Sequence, residues 1–175
     1  MPVTGTSPAI NSKQNHQTMN PRIDFIKHSA AMKPLYAVEL YLQNAGLEKS
    51  LRHLVKLRAS QINGCAFCID MHVDEALADG EHPTRLHLLS VWRETPLFSE
   101  REQVALEWTE AVTLIAGGGP SDELFQRAQQ QFTDEELVNL NLAITMINTW
   151  NRFSISFRNP PALKSYKATH PPTTP

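Results

Sequence analysis

The chain has little cysteine, no excess of charge of either sign and no long apolar run, and each shortage excludes a class of protein. It holds 2 cysteines in 175 residues, too few for the disulfide lattice of a small secreted scaffold. Lys and Arg total 16 against 18 Asp and Glu, a formal net charge of -2. No basic surplus points to nucleic acid, and no charge block points to a membrane surface. No window offers the roughly 18 consecutive apolar residues of a membrane span. The first 20 residues are Pro, Thr, Ser, Asn and Gln without the apolar core of a secretory signal. These shortages predict a cytoplasmic protein. Strand alternation is missing too, as is any repeat of fixed period.

What is present is helical periodicity in a chain long enough for one domain, 41% apolar and 19% charged. Residues 1–20 read as a flexible polar arm, 21–165 as an all-α domain of six or seven helices, and 166–175 as a loose Pro- and Thr-rich tail. The first helix is expected from Phe25 to Ala45, with Leu35, Val38, Leu40 and Leu42 as core candidates, stopping at Gly46. The second runs from about Leu47 to Asn63, with Leu51, Leu54, Val55, Ala59 and Ile62 on one face. A third follows Gly64 from Cys65 to Ala78. His82-Pro83-Thr84 opens a fourth through Leu86, Leu89 and Trp92. Ser99 with Glu102 and Thr133 with Glu136 form capping boxes that start two more. A short helix follows Ser121, and the last runs to about Phe157, before Pro160-Pro161.

The informative stretch runs from Ser60 to His72. Cys65 and Cys68 are three apart, and Cys68 and His72 four apart, so a helix puts all three side chains on one face. Gly64 is a helix stop, which places Cys65 in the first turn of the next helix. Free N–H groups and the positive end of the helix dipole favour a thiolate there. An imidazole beside Cys68 can take its proton, and the thiolate is the reactive form of cysteine. Two plainer readings compete. Cysteines this close can be small core residues. Cys65, Cys68 and His72 also offer three zinc ligands, with His53, His82 or His87 as a fourth, although no second CxxC or HxxxH is present.

At these residues the sequence resembles the AhpD-like alkylhydroperoxidase family of the carboxymuconolactone decarboxylase superfamily. The likeness extends from Leu51 through Cys65, over the helix start Phe98-Ser99-Glu100-Arg101-Glu102 as far as Glu110-Ala111, and to Ile147-Asn148-Thr149-Trp150-Asn151-Arg152. It covers roughly residues 23 to 160. It implies an all-helical fold that forms homo-oligomers (dimers, trimers or hexamers), and peroxide reduction without metal or organic cofactor. Carried over by position, Cys68 is the peroxidatic thiol, Cys65 the resolving thiol and His72 the relay histidine. The partners implied are a hydroperoxide substrate and a thiol-disulfide reductant protein. The chain departs from the family at two positions. His53 stands where the family commonly has glutamate, and Phe67 where its best-studied members have histidine. A cationic His53 would help to stabilise a thiolate. Two rival functions use the same residues: a redox-sensing or disulfide-exchange protein without peroxidase activity, and a lyase of the lactone-decarboxylase kind with His53 or His72 as general base.

Other residues are less decisive. His82 and His87, five apart, share no helix face and read as surface or core residues. Trp92, Trp108 and Trp150 read as core or subunit-interface aromatics. Asn141, Thr145, Asn148 and Arg152 form a polar stripe on the last helix, either solvated or part of a buried network. Glu107 and Glu110 are further acids that the fold can bring near the site.

Overall fold

A computed structural model of the chain describes residues 20–169. Most of the expected arm and the end of the expected tail lie outside the described residues. Within them the fold is all-α, with no strand. Eight α-helices follow one another: α1 (Ser29–Gln43), α2 (Lys49–Asn63), α3 (Ala66–Ala78), α4 (Pro83–Leu88), α5 (Glu100–Thr113), α6 (Asp122–Gln131), α7 (Asp134–Ser156) and α8 (Lys164–Thr169). Three short 3-10 turns intervene.

Local chemistry sets most of the starts. Both capping boxes are complete: the hydroxyls of Ser99 and Thr133 accept from the N–H groups of Glu102 and Glu136, whose carboxylates accept from the cap N–H in return. Ser121 caps α6. His82 caps α4, with Pro83 in its first turn, where a missing N–H costs nothing.

The structure corrects the sequence reading at three places. Phe25–Lys27 forms a separate 3-10 turn, and α1 begins only at Ser29. Leu40, expected in the core, is 62% exposed. Leu35, Val38 and Leu42 follow spacings of three and four and pack together with Ala143 and Met146 of α7. Leu40 lies two residues from Val38 and from Leu42, so it points away from that face. The fourth helix stops at Leu88, and a 3-10 segment containing Val91 with non-helical angles carries the chain past Trp92.

α2 is the central element and packs against α3, α5 and α7. One cluster joins α2, α5, α6 and α7 through Val55, Ala105, Leu140 and Ile144. Another joins α2 to α3, α4 and α5 through Leu54, Leu57, Ala76, Leu86 and Leu106. Leu54→Ala opens a cavity in this second cluster and is expected to cost about 2–5 kcal/mol, read as a lower urea midpoint at unchanged slope. No helix among the described residues is long and apolar enough to cross a membrane.

Candidate active site

The site grows from the turn between α2 and α3. Gly64 has φ of +69°, in the left-handed region where a side chain is strained. That conformation ends α2 and lets α3 double back along it. A buried amide network fixes the turn. Asn63 Nδ2 donates to Asn148 Oδ1 at 2.9 Å and to Asn151 Oδ1 at 2.8 Å. Asn151 Nδ2 donates to Ser60 Oγ, and Asn148 Nδ2 to Thr113 Oγ1. The end of α2 is thus tied to α7 immediately before the cysteines. Of the polar stripe on α7, Asn148 belongs to this network, while Thr145 and Arg152 are exposed. Asn141 accepts from Trp108 Nε1. Asn151, which completes the network, lies outside the stripe's spacing.

Cys65 and Cys68 form a disulfide with Cα atoms 5.4 Å apart. Cys65 is the N-cap of α3, one residue earlier than expected, and its sulfur accepts from the Cys68 N–H at 3.3 Å. Both cysteines are buried with Ala59 and Ile147, next to Phe67 and Trp150. Cys68 lines an open cleft of about 900 Å³, and Cys65 does not.

His72 sits one helical turn beyond Cys68 and lines the same cleft, 3% exposed. Burial holds its imidazole below the ordinary histidine pKa, against the upward pull of Glu75. Its Nδ1 is 2.9 Å from Glu75 Oε2. Its Nε2 is buried and has no hydrogen-bond partner. The Glu75 carboxyl is held below its ordinary range, first by the hydrogen bond with His72.

His53 lies on the cleft wall, but its Nε2 pairs with Asp79 Oδ2 at 2.6 Å. Lys49 bonds the other oxygen of Asp79. Lys56 pairs with Glu39 at 2.6 Å, and Trp150 Nε1 donates to the same carboxylate. Phe67 stacks no proton-transferring group against the cysteines; it contributes apolar wall, together with Phe25, Tyr36, Met71 and Trp150. Among the described residues no group of three or more His, Cys, Asp or Glu is placed to hold a metal ion.

The fold therefore brings Cys68, His72 and His53 to one cleft, with Cys65 behind Cys68. His82 and His87 are exposed and stand apart from it. Glu107 pairs with Arg127, and Glu110 with Arg58 and Arg93, away from the cleft. Sequence reasoning missed Glu75, although its i+3 spacing from His72 was visible. It also missed Glu39 and Lys56, which only the packing of α1 beside α2 brings together. Trp92 and Trp108 are buried, as core aromatics, whereas Trp150 is a wall of the cleft.

This geometry recurs in known proteins. The carboxymuconolactone decarboxylase family matches residues 28–111, from the start of α1 to near the end of α5. The YdfG protein of Bacillus subtilis (strain 168), whose activity is uncharacterized, is 39% identical over 147 residues, covering 83% of this chain and 100% of its own. A crystal structure from Agrobacterium tumefaciens superposes with a TM-score of 0.80 at 46% identity, over 83% of this chain and all of the other. It is described as a protein of unknown function and as a candidate antioxidant-defence protein AhpD. The debrominase Bmp8 shares the fold at a TM-score of 0.73 and 14% identity, over 83% of this chain and 77% of its own. The chain belongs to the carboxymuconolactone decarboxylase family, as an AhpD-like member.

Proposed function

We propose that the protein is a thiol-dependent peroxidase that reduces organic hydroperoxides through a dithiol–disulfide cycle. The observation that carries this reading is the asymmetry of the pair: Cys68 faces the cleft beside a buried histidine, and Cys65 lies behind it at a helix N-terminus. Starting from the reduced pair, His72 Nε2 takes the proton of Cys68. The thiolate attacks the nearer peroxide oxygen, the O–O bond breaks, and the leaving alkoxide takes a proton from His72 to depart as an alcohol. Cys68 is now a sulfenic acid. Cys65 then attacks the Cys68 sulfur, and water leaves as the disulfide forms. The Cys68 N–H that points at Cys65 Sγ stabilises Cys65 as a thiolate for this step. A dithiol protein restores the pair by exchange, itself becoming a disulfide.

Cleft size bears on substrate. Hydrogen peroxide fills little more than the ~30 Å³ of one water, whereas about 900 Å³ walled by aromatics suits a bulky organic group. The reduced protein is expected to lose two thiols per equivalent of cumene hydroperoxide, at least roughly tenfold faster than with hydrogen peroxide, one extra buried apolar contact of about 1.4 kcal/mol sufficing. Stopped-flow thiol loss checks this. Oxidation by both peroxides at the rate of a free thiol would overturn the peroxidase reading.

The same cleft favours a second reading, reductive removal of halogen from an aromatic ring, the kind of reaction named for the debrominase that shares the fold. Cys68 would take bromine from a protonated ring as a sulfenyl bromide. Cys65 would then displace bromide to give the same disulfide. Bromide release from a brominated aromatic, without any reaction with peroxides, would select it.

A further inference from the structure

We infer that Glu75 is the positioning residue of this site: its carboxylate keeps the His72 proton on Nδ1 and so leaves Nε2 as the acceptor for the Cys68 proton. The inference rests on the reading of His72 as the base for Cys68. A neutral imidazole carries one proton, on either nitrogen, and the hydrogen bond made by one nitrogen decides which. Burial favours the neutral ring. Glu75 is ionised near neutrality, because its hydrogen bond with His72 favours the charged form. An ionised carboxylate only accepts. The 2.9 Å contact must therefore be Nδ1–H donating to Glu75 Oε2, with the lone pair on Nε2. That nitrogen is the buried one without a partner.

Exposure adds a second role. The His72 side chain is 4% exposed and that of Glu75 is 50%. Glu75 is thus the link between the buried ring and solvent, and a route by which a proton received at Nε2 is passed on from Nδ1.

The position explains the departure at His53. Where the family resemblance places a glutamate, this chain has a histidine, and the fold turns it to Asp79. The carboxylate that His72 uses comes from its own helix, three residues on. The other charged groups around His72 do not replace it. From α2, Lys56 opposes protonation of the ring, and its charge is offset by Glu39 of α1 at 2.6 Å. His53, also on α2, acts on Glu75 and is itself paired with Asp79.

The test uses the full reduced chain in three variants, Glu75→Gln, Glu75→Ala and Glu75→Asp. Nitrogen NMR of His72 reads the tautomer, and iodoacetamide alkylation of Cys68 across pH reads thiolate reactivity without any peroxide. Wild type is expected to show Nδ1–H alone. Glu75→Ala is expected to show both tautomers and to slow alkylation at neutral pH roughly tenfold or more, a part of the 10²–10⁴ that a placed base supplies. Glu75→Gln removes the charge and is expected to slow it as well, while Glu75→Asp restores most of the rate. In a His72→Gln background the Glu75 substitutions are expected to have no further effect. An unchanged tautomer and an unchanged pH profile in Glu75→Ala would overturn the inference. Slow oxidation of the wild type by peroxide, with the tautomer still set by Glu75, would overturn the peroxidase reading alone.

Discussion

Cys68→Ser is expected to abolish peroxide-dependent turnover, a fall of roughly 10³-fold or more in the rate of peroxide consumption. Serine keeps the size and the cleft position but carries a proton that a neutral imidazole cannot remove to any useful extent, and its oxygen does not form a stable product with a peroxide oxygen. Cys65→Ser is expected to behave differently. Cys68 still reacts once and then stops, since no thiol stands behind it to release water and close the disulfide. A single burst of one peroxide per chain, followed by no turnover, separates the two roles. Equal rates of continuous turnover in both variants would remove the dithiol from the mechanism and leave His53 or His72 as a base for lyase chemistry. Both substitutions should leave the fold intact, because each removes one small sulfur from a pocket shared with Ala59 and Ile147.

His72→Leu is expected to lower the rate of Cys68 oxidation roughly 10²–10⁴-fold at pH 7. Its effect on stability runs the other way at low pH. In the folded chain the His72 pKa is depressed below its unfolded value by burial. Above the unfolded value, near 6.5, the ring is neutral in both states and adds no pH dependence. As pH falls below that value the unfolded chain binds the proton first, so stability is lost until the folded-state pKa is passed. Urea midpoints of the wild type are therefore expected to decline in this window more steeply than those of His72→Leu. Parallel curves would mean that the ring is not held neutral by burial.

Much of the architecture was legible because local signals and packing agree. Ser99, Ser121 and Thr133 announce helix starts through their own hydroxyls, and the structure uses each of them. Gly64 marks the end of α2 because only glycine adopts its backbone angle without strain. The spacing of Cys65, Cys68 and His72 placed Cys68 and His72 on one cleft wall for the same reason. What was not legible depends on partners far away in sequence. Leu40 has the composition of a core residue and is exposed, because burial follows the face that meets α7. His53 fills a position whose family counterpart suggested a link to the relay. It bonds Asp79 instead, since the α2–α3 hairpin sets Asp79 opposite it. Glu39 reaches Lys56 and Trp150 only after α1 packs beside α2 and α7. The buried role of Asn151 was hidden as well, for it depends on Ser60 and Asn63 at the far side of the domain interior.

The central claim is that Cys68 is the sulfur that meets the substrate, and one measurement addresses it directly. Reduced Cys65→Ser protein is treated with one equivalent of cumene hydroperoxide in the presence of dimedone, and the adduct is located by peptide mass spectrometry. The account predicts a sulfenic acid adduct on Cys68 in nearly every chain, formed far faster than on a free thiol. An adduct absent from Cys68, or formed only at the free-thiol rate, would contradict it.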